Sequence, residues 1–351
     1  MGLVKTLLQK GYMVTIVAEE DRYSNIFKKI GCRFINLSIN NSNKNPFQDL
    51  FLIIKYFIIL FKTKPSIVLA FTIKPNLYCS FSARILSVPI VNNISGLGTS
   101  FITDQLTKII VTFLYRGALK KSKCVFFQNQ DDMKYFKNLD IVKNVKCRLI
   151  PGSGINVDHY TEYTRQKKIK ENFTFIMIAR VKVDKGVLDF IEAAKKVLEK
   201  YNSCKFILLG DIDKNNKTSI SRSEVDNWVR DALIEYHDFT DDVRPFINAS
   251  DCLVPPSYRE GLPKSLLEAS LMEKPIIASD TPGCRDVVDA PRTGLLCKVN
   301  DPTSLFISMC NILEMSPQDR KKMGVNGRKF VESKFHENIV IDAYLDEIGE
   351  L

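Results

Sequence analysis

The sequence lacks the spacing patterns of a structural metal site or a disulfide framework. It contains nine cysteines, but no two are spaced as Cys-x-x-Cys, and no histidine-rich stretch accompanies them. Cysteines without such spacing are typical of small buried apolar side chains in a reducing compartment. A zinc module and a disulfide-stapled secreted domain are therefore disfavoured.

The sequence also lacks an apolar run long enough to cross a bilayer. Its most apolar stretch, residues 50–61, reads LFLIIKYFIILF and includes Lys55. That is only about a dozen residues, whereas a spanning helix needs about 20. Two interpretations stay open: a buried helix packed on a sheet, or a helix that dips into one leaflet and is flanked by Lys62 and Lys64. We find no signal peptide, because the N-terminus leads directly into an amphipathic helix.

Acidic residues are in deficit. The 50 basic and 40 acidic residues give a net charge of +10, which suits an anionic ligand or an anionic membrane face. The basic residues are scattered without interleaved aromatics, so we expect no nucleic-acid partner. With 45% hydrophobic and 26% charged residues over 351 positions, the chain is long enough for two globular domains.

Strand-like apolar runs alternate with helical patterns along the chain, which predicts an α/β fold with parallel sheets. The alternation restarts after a Gly- and Pro-containing, highly charged connection, so we expect two doubly wound, Rossmann-like domains facing a cleft. The predicted domains are an acceptor-binding domain at 1–155, a linker at 156–172 and a nucleotide-sugar domain at 173–351. The predicted strands are at 13–18, 33–37, 67–70, 90–93, 125–128, 173–178, 206–209 and 276–279.

Both ends of the chain carry predicted helices. Val4, Leu7 and Leu8 line one face of an opening helix, although βα architectures begin with a strand. We therefore expect the first strand of the N-terminal domain to be absent. A last helical stretch at 319–345 is expected to cross back toward the first domain.

Two polar motifs follow predicted strands of the second domain. Glu260 lies on a loop after the prolines that end one strand, and Glu268 lies about two turns away in the following helix. Arg180 and Lys185 lie between another strand and its helix, where Gly186 lets the backbone approach a ligand. Each motif alone is compatible with ordinary solvated side chains. Together they favour a nucleotide-sugar site, with cations on a diphosphate and carboxylates on hydroxyl groups.

These motifs resemble those of the retaining glycosyltransferases of family 4, which have the GT-B fold. The resemblance rests on MIAR-x4-KG at 177–186, YREGLPKSLLEA at 258–269, FTIKPN at 71–76, SGLG at 95–98 and PGSGINVDHY at 151–160. It extends over nearly the whole chain. The bacterial members that it resembles build capsule, O-antigen or N-glycan precursors, including N-acetylgalactosaminyltransferases that act on undecaprenyl-diphosphate-linked sugars.

The resemblance implies a role for each matching residue. Arg180 and Lys185 would bind the donor diphosphate and Glu260 the donor sugar near its reacting carbon, and these three are the candidate catalytic residues. Glu268 would bind the ribose hydroxyls. The remaining implied donor contacts are the backbone around Gly261 and Leu262, and, by position only, the nucleobase near His237. No metal and no cofactor are implied, since the two cations neutralise the leaving group.

The implied function is transfer of a hexose or N-acetylhexosamine from a UDP-sugar to an undecaprenyl-diphosphate-linked saccharide, with retention. The expected location is cytoplasmic, peripheral at the inner face of the plasma membrane. Two alternatives stay open. One is an enzyme like UDP-N-acetylglucosamine 2-epimerase, and the other is a catalytically inactive nucleotide-sugar-binding partner in a glycan assembly. The sequence leaves the sugar, the linkage and the oligomeric state undetermined.

Overall fold

The protein, described here by a computed structural model, divides into two compact units. The model describes residues 1–38, 46–96, 105–160, 172–213 and 218–349. Unit 1 comprises Met1–Gly154 and Glu337–Leu351, and unit 2 comprises Ile155–His336. The sequence predicts domains at 1–155 and 173–351, with the last helical stretch crossing back toward the first domain. In the structure the units divide after Gly154, and Glu337–Leu351 belong to unit 1. Most of the predicted linker, residues 161–171, and positions 97–98 of the SGLG loop lie outside the described residues.

Unit 1 is built from βα repeats, as the alternating pattern predicts. Its strands are β1 (Thr15–Ala18), β2 (Arg33–Asn36), β3 (Val68–Phe71), β4 (Ile90–Ile94), β5 (Cys124–Phe127) and β6 (Cys147–Leu149). Its first helices are α1 (Gly2–Gln9), α2 (Ser24–Lys29), α3 (Pro46–Thr63), α4 (Ser80–Ile85), α5 (Gln105–Leu119) and α6 (Gln130–Asn138). A π-helical turn, Pro75–Cys79, leads into α4.

The strands of unit 1 form two parallel ladders. β3, β4, β5 and β6 pair in that order, while β1 pairs with β2. β4 and β5 are buried along their whole length, which is why they are continuous apolar or amide runs. The continuous apolar run at 13–18, which is typical of a buried parallel strand, is only partly buried in the structure. Met13 is fully exposed and β1 is at most half-buried, because within the described chain β1 has a strand neighbour on one side only.

Helix α3 has two apolar faces. Leu52, Tyr56 and Leu60, spaced four residues apart, are buried in the core of unit 1. The opposite face carries large apolar side chains that are exposed: Phe51, Ile54, Ile58 and Phe61. The first interpretation of residues 50–61, a helix packed on a core, holds for the buried face, whereas the exposed apolar face is compatible with the second. None of the helices in the described ranges combines the length and hydropathy needed to span a bilayer.

Unit 2 repeats the βα plan on a second parallel sheet. Its strands are β7 (Phe173–Ile178), β8 (Cys204–Leu209), β9 (Glu235–His237), β10 (Cys252–Leu253), β11 (Ile277–Ser279) and β12 (Leu295–Cys297). Its helices are α7 (Val187–Lys200), α8 (Arg222–Arg230), α9 (Arg244–Ala249), α10 (Lys264–Leu271), α11 (Cys284–Val287), α12 (Pro302–Glu314) and α13 (Pro317–Lys334). The main sheet has the order β10-β7-β8-β9, and a bridge between Leu253 and Ile276 leads on to β11 and β12.

The last helical stretch is two helices rather than one. α13 ends at Lys334, and α14 (Glu337–Gly349) begins after a break at Phe335 and His336. The break exists because Ile155 donates its N–H to the Phe335 carbonyl at 2.8 Å and pairs with His336. The expectation of one helix over 319–345 is therefore wrong.

α14 belongs to unit 1 and fills its core. Tyr344 packs edge-on against Phe126 with ring centroids 4.7 Å apart, and its hydroxyl accepts a hydrogen bond from Asn93. Glu347 is fully buried and accepts hydrogen bonds from Lys146 and Arg148, each at 3.0 Å. A buried carboxylate needs such partners to offset the loss of hydration.

Candidate active site

The four strands of the main sheet in unit 2 run parallel, so their carboxyl ends meet at one edge. The loops after β10 and β7 carry the sequence-predicted site residues of this unit, apart from His237, which is the last residue of β9, and Glu268, which is in α10. In open α/β sheets, ligands bind at the carboxyl ends of the strands. The order of the strands therefore explains why motifs far apart in the sequence come to one edge.

The basic loop runs from the end of β7 to the start of α7. A 3-10 turn, Val183–Lys185, is followed by Gly186 in the left-handed conformation, with φ +74°. A Cβ atom at position 186 would lie 2.0 Å from the carbonyl oxygen of Pro256. Glycine is thus required twice, by the backbone angle and by the close approach of the loop after β10.

The acidic loop is held against the basic loop and against the turn before α11. Tyr258 donates its N–H to the Asp184 carbonyl at 3.0 Å, and its hydroxyl donates to Asn300 at 2.9 Å. A Cβ atom on Gly283, which has φ +81°, would lie 2.2 Å from the carbonyl oxygen of Gly261. The backbone around Glu260 and Gly261 is therefore fixed from two sides.

Lys185 and Glu260 form a direct ion pair. The Lys185 Nζ atom lies 2.5 Å from Glu260 Oε1, although the residues are 75 positions apart. Both side chains are more than four-fifths buried, at 16% and 17% exposure. The pair holds an ammonium and a carboxylate side by side. A ligand with an anionic group next to a hydroxyl group can engage both side chains in place of their mutual contact.

Arg180 is exposed and makes no ion pair with any residue in the described ranges. The neighbouring Lys182 is 5% exposed. Burial lowers the pKa of Lys182, and the positive charge of Arg180 lowers it further. The basic loop therefore brings three cations together, one of which, Lys185, is paired with Glu260, and this concentration of positive charge is the electrostatic setting for an anion.

Glu268 lies inside α10 and is 7% exposed. Its Oε1 atom accepts a hydrogen bond from the Tyr160 hydroxyl at 2.9 Å and lies 3.3 Å from Lys264 Nζ. Sequence analysis did not single out Tyr160. It is the last residue of the PGSGINVDHY motif, but the 108 positions that separate it from Glu268 leave no spacing signal.

Leu262 and His237 have mainly packing contacts in this structure. Leu262 is half-buried against the core of the unit. His237 ends β9, and its ring meets that of Phe246 edge-on at 4.9 Å. The structure thus brings Lys185 and Glu260 into contact, keeps Arg180 on the same loop as Lys185, and leaves His237 at the sheet edge by position. In the described residues no three His, Cys, Asp or Glu side chains converge as metal ligands would.

Comparisons with known proteins agree with this fold. The family model described as "Glycosyl transferases group 1" matches residues 160–330, and "Glycosyl transferase 4-like" matches residues 1–129. A solved structure from Anabaena, "Alr3699/HepE in complex with UDP and glucose", superposes with a TM-score of 0.80 at 15% identity. The match covers 99% of this chain and 95% of the Anabaena chain.

Two similar curated proteins are bacterial transferases. The N,N'-diacetylbacillosaminyl-diphospho-undecaprenol alpha-1,3-N-acetylgalactosaminyltransferase of Campylobacter jejuni is 27% identical over 98% of this chain and 93% of its own length. The UDP-Gal:alpha-D-GlcNAc-diphosphoundecaprenol alpha-1,3-galactosyltransferase of Escherichia coli is 25% identical over 87% and 82%. The chain belongs to the family 4-like, group 1 glycosyltransferases and has the GT-B fold. It is an enzyme of the glycosyltransferase class, which sets aside the epimerase and the inactive partner.

Proposed function

We propose that this glycosyltransferase moves a hexose or N-acetylhexosamine from a UDP-sugar to an undecaprenyl-diphosphate-linked saccharide, with retention at the anomeric carbon. The observation that carries the proposal is the Lys185–Glu260 pair beyond the carboxyl ends of the main sheet of unit 2, on the same loop as Arg180. One pair of side chains there offers a cation for a phosphate and a carboxylate for a sugar hydroxyl. The lipid-diphosphate acceptor is suggested by the two relatives, whose names include undecaprenyl-diphosphate-linked acceptors.

In the proposed reaction the bond between the anomeric carbon and the diphosphate oxygen breaks while the acceptor oxygen bonds to the same face of that carbon. The acceptor hydroxyl gives its proton to the leaving diphosphate oxygen. Arg180 and Lys185 stabilise the negative charge that develops on the diphosphate, and no metal ion takes part. Glu260 accepts hydrogen bonds from the sugar near the reacting carbon.

Three further contacts orient the donor. Glu268 accepts hydrogen bonds from the ribose hydroxyls, the backbone N–H groups of Gly261 and Leu262 face the sugar and phosphate, and the nucleobase lies near His237. Binding energy from these remote groups raises the affinity for the donor.

UDP release tests the proposal. A panel of UDP-sugars is assayed with and without a detergent-solubilised undecaprenyl-diphosphate-sugar acceptor, and product linkage is assigned by NMR. Release with one donor that depends on the acceptor, with an α-linked product from an α-linked donor, is the expected result. Release that is independent of the acceptor, or an inverted linkage, would contradict it.

We also propose that unit 1 docks on the anionic cytoplasmic leaflet of the plasma membrane through the outer faces of α3, α4 and α5. These helices share one core cluster of unit 1, and α4 contacts both α3 and α5. Besides the exposed stripe on α3, Ile85 of α4 and Ile109, Ile110 and Phe113 of α5 are exposed, Phe113 at 73%. Contiguous exposed apolar side chains mark an interaction surface.

Charge favours a membrane as the occupant of this surface. Between residues 51 and 121 the sequence has nine basic residues and one acidic residue, so most of the net charge of +10 arises in this segment. Each basic residue near an anionic leaflet contributes about 1 kcal/mol to binding. Apolar side chains with a cationic border are the arrangement of helices that lie in the membrane interface.

Vesicle co-sedimentation tests this docking. We expect binding to vesicles that contain phosphatidylglycerol, weak binding to pure phosphatidylcholine, and loss of binding in a variant with Phe51, Ile54, Ile58 and Phe61 all changed to Ser. Ile307→Ser is the control, since Ile307 is 52% exposed on α12 of unit 2. Equal binding to both vesicle types, or an equal loss in the control, would argue against this surface. Self-association abolished by the same four changes would instead assign the surface to a second copy.

A further inference from the structure

We infer that Tyr160 is a positioning residue that holds one oxygen of the Glu268 carboxylate, so that the other oxygen is presented to the ribose of the donor. The inference rests on the proposed function, in which Glu268 receives the ribose hydroxyls. It gives a role to Tyr160, a residue that motif spacing does not single out.

The Tyr160 hydroxyl is a fixed donor. Tyr160 is 5% exposed and its ring lies in a core cluster of unit 2. Its backbone is held by a 3-10 turn, Asp158–Tyr160, in which Tyr160 N–H donates to the Val157 carbonyl at 3.1 Å. The same turn is tied to α9, because Arg244 donates to the His159 carbonyl at 2.8 Å.

The hydrogen bond can run in one direction only. Burial raises the pKa of the Tyr160 phenol, and the negative charge of Glu268 raises it further, so the phenol keeps its proton and donates it. Oε1 of Glu268 receives this bond at 2.9 Å and lies near the Lys264 ammonium. From the residues that the structure describes, no hydrogen bond reaches Oε2.

This arrangement gives the carboxylate one anchored and one available oxygen. A ribose diol offers two hydroxyl donors, and an anchored carboxylate loses less rotational freedom on accepting them than a free one does. Because the ribose is bound alike in the substrate complex and in the transition state, removing the anchor weakens donor binding without slowing the chemical step.

The test compares Tyr160→Phe with Tyr201→Phe. Tyr201 also donates its hydroxyl to a glutamate, Glu314, at 2.7 Å, but on the solvent side of α7 and α12. We expect Tyr160→Phe to raise the KM for the UDP-sugar and the Kd for UDP about tenfold, with kcat changed less than twofold, because a hydrogen bond to a charged group is worth about that factor. Tyr201→Phe should leave all three constants unchanged. A fall in kcat with unchanged KM, or equal effects in the two variants, would overturn the inference.

A double-variant cycle separates positioning from mere support of the fold. If Tyr160 acts through Glu268, then Tyr160→Phe adds no further loss of UDP affinity in a Glu268→Ala background. The preference for UDP over 2′,3′-dideoxy-UDP should also shrink in Tyr160→Phe alone. Additive losses, or an unchanged preference, would refute the role, and thermal unfolding of each variant identifies any that fail to fold.

The nucleotide panel keeps this inference distinct from the proposed function. Titrations with UDP, ADP and GDP are made on the unaltered protein first. If ADP or GDP binds and UDP does not, the proposed donor is wrong, but the Tyr160 comparison is made with the nucleotide that binds. If none of the three binds, the ribose role of Glu268 fails and the inference fails with it.

Discussion

Replacing Gly186 by alanine should disrupt the candidate site through a single added methyl group. The new Cβ atom would lie 2.0 Å from the Pro256 carbonyl oxygen, whereas a carbon–oxygen contact is unstrained only beyond about 3.4 Å. The two loops must therefore separate by about 1.4 Å. Lys185 precedes the glycine and Glu260 follows the proline, so their contact is lost with the separation.

The expected cost can be worked from the two sources of strain. A non-glycine residue in the left-handed region costs about 1–2 kcal/mol, and forcing an extra methyl group into packed surroundings adds about 1–3 kcal/mol. We expect Gly186→Ala to lower the free energy of unfolding of unit 2 by about 3 kcal/mol in total. A misplacement of about 1 Å near reacting groups lowers kcat/KM by about 100-fold.

Urea unfolding and acceptor-dependent UDP release measure the two effects. The control is Gly31→Ala, compared by the loss of unfolding free energy of unit 1, because Gly31 also has a positive φ, +97°, but nothing lies within 4 Å of a Cβ atom there. The control should show the backbone cost alone and keep its activity. If Gly186→Ala keeps at least half of the wild-type kcat/KM and is no less stable than the control, the close approach of the two loops does not organise the site.

Three further predictions concern charge. Arg180→Ala should lower kcat by about 100-fold or more in the UDP-release assay, since a lost donor to the leaving group costs that much. The control, Lys195→Ala on the exposed face of α7, should have no effect. Equal rates in the two variants would refute the role of Arg180 at the diphosphate. Chelation by EDTA should leave the rate unchanged, and a rate restored only by added Mg²⁺ would contradict the proposed role of Arg180 and Lys185. Burial raises the pKa of Glu347, but hydrogen bonds from Arg148 and Lys146 outweigh burial and lower the pKa overall. The stabilisation of unit 1 by Glu347 is therefore present above the unfolded-state pKa and is lost as the pH falls through the lowered folded-state pKa. Glu347→Gln should therefore flatten the acid limb of stability against pH in circular dichroism, and an unchanged limb would count against it.

Local patterns in the sequence predicted several elements of unit 2 well. The bounds of β7 are the predicted ones, because a continuous apolar run followed by a 3.6-residue period leaves little ambiguity. The prolines after β10 correctly marked the end of that strand. The loops that carry Arg180 and Glu260 could be placed for the same reason, since each lies between two strongly patterned elements.

What the sequence could not supply depends on contacts between distant segments. The break at Phe335 and His336 arises from pairing with Ile155, and residues 319–345 carry no local sign of it. The half-buried state of β1 depends on which strands pair with it, not on its own apolar residues. The Tyr160–Glu268 hydrogen bond likewise joins two segments whose spacing has no characteristic period.

The return of α14 to unit 1 has a consequence for the order of events during synthesis. Unit 2 is continuous in sequence, so all of its residues have emerged before α14 leaves the ribosome. Unit 1 still lacks Tyr344 over Phe126 at that stage, and the side chains of Lys146 and Arg148 still lack Glu347. Most of unit 1 is therefore synthesised before unit 2, but its core is completed after that of unit 2. On the nascent chain it is unit 1 whose hydrophobic core is incomplete.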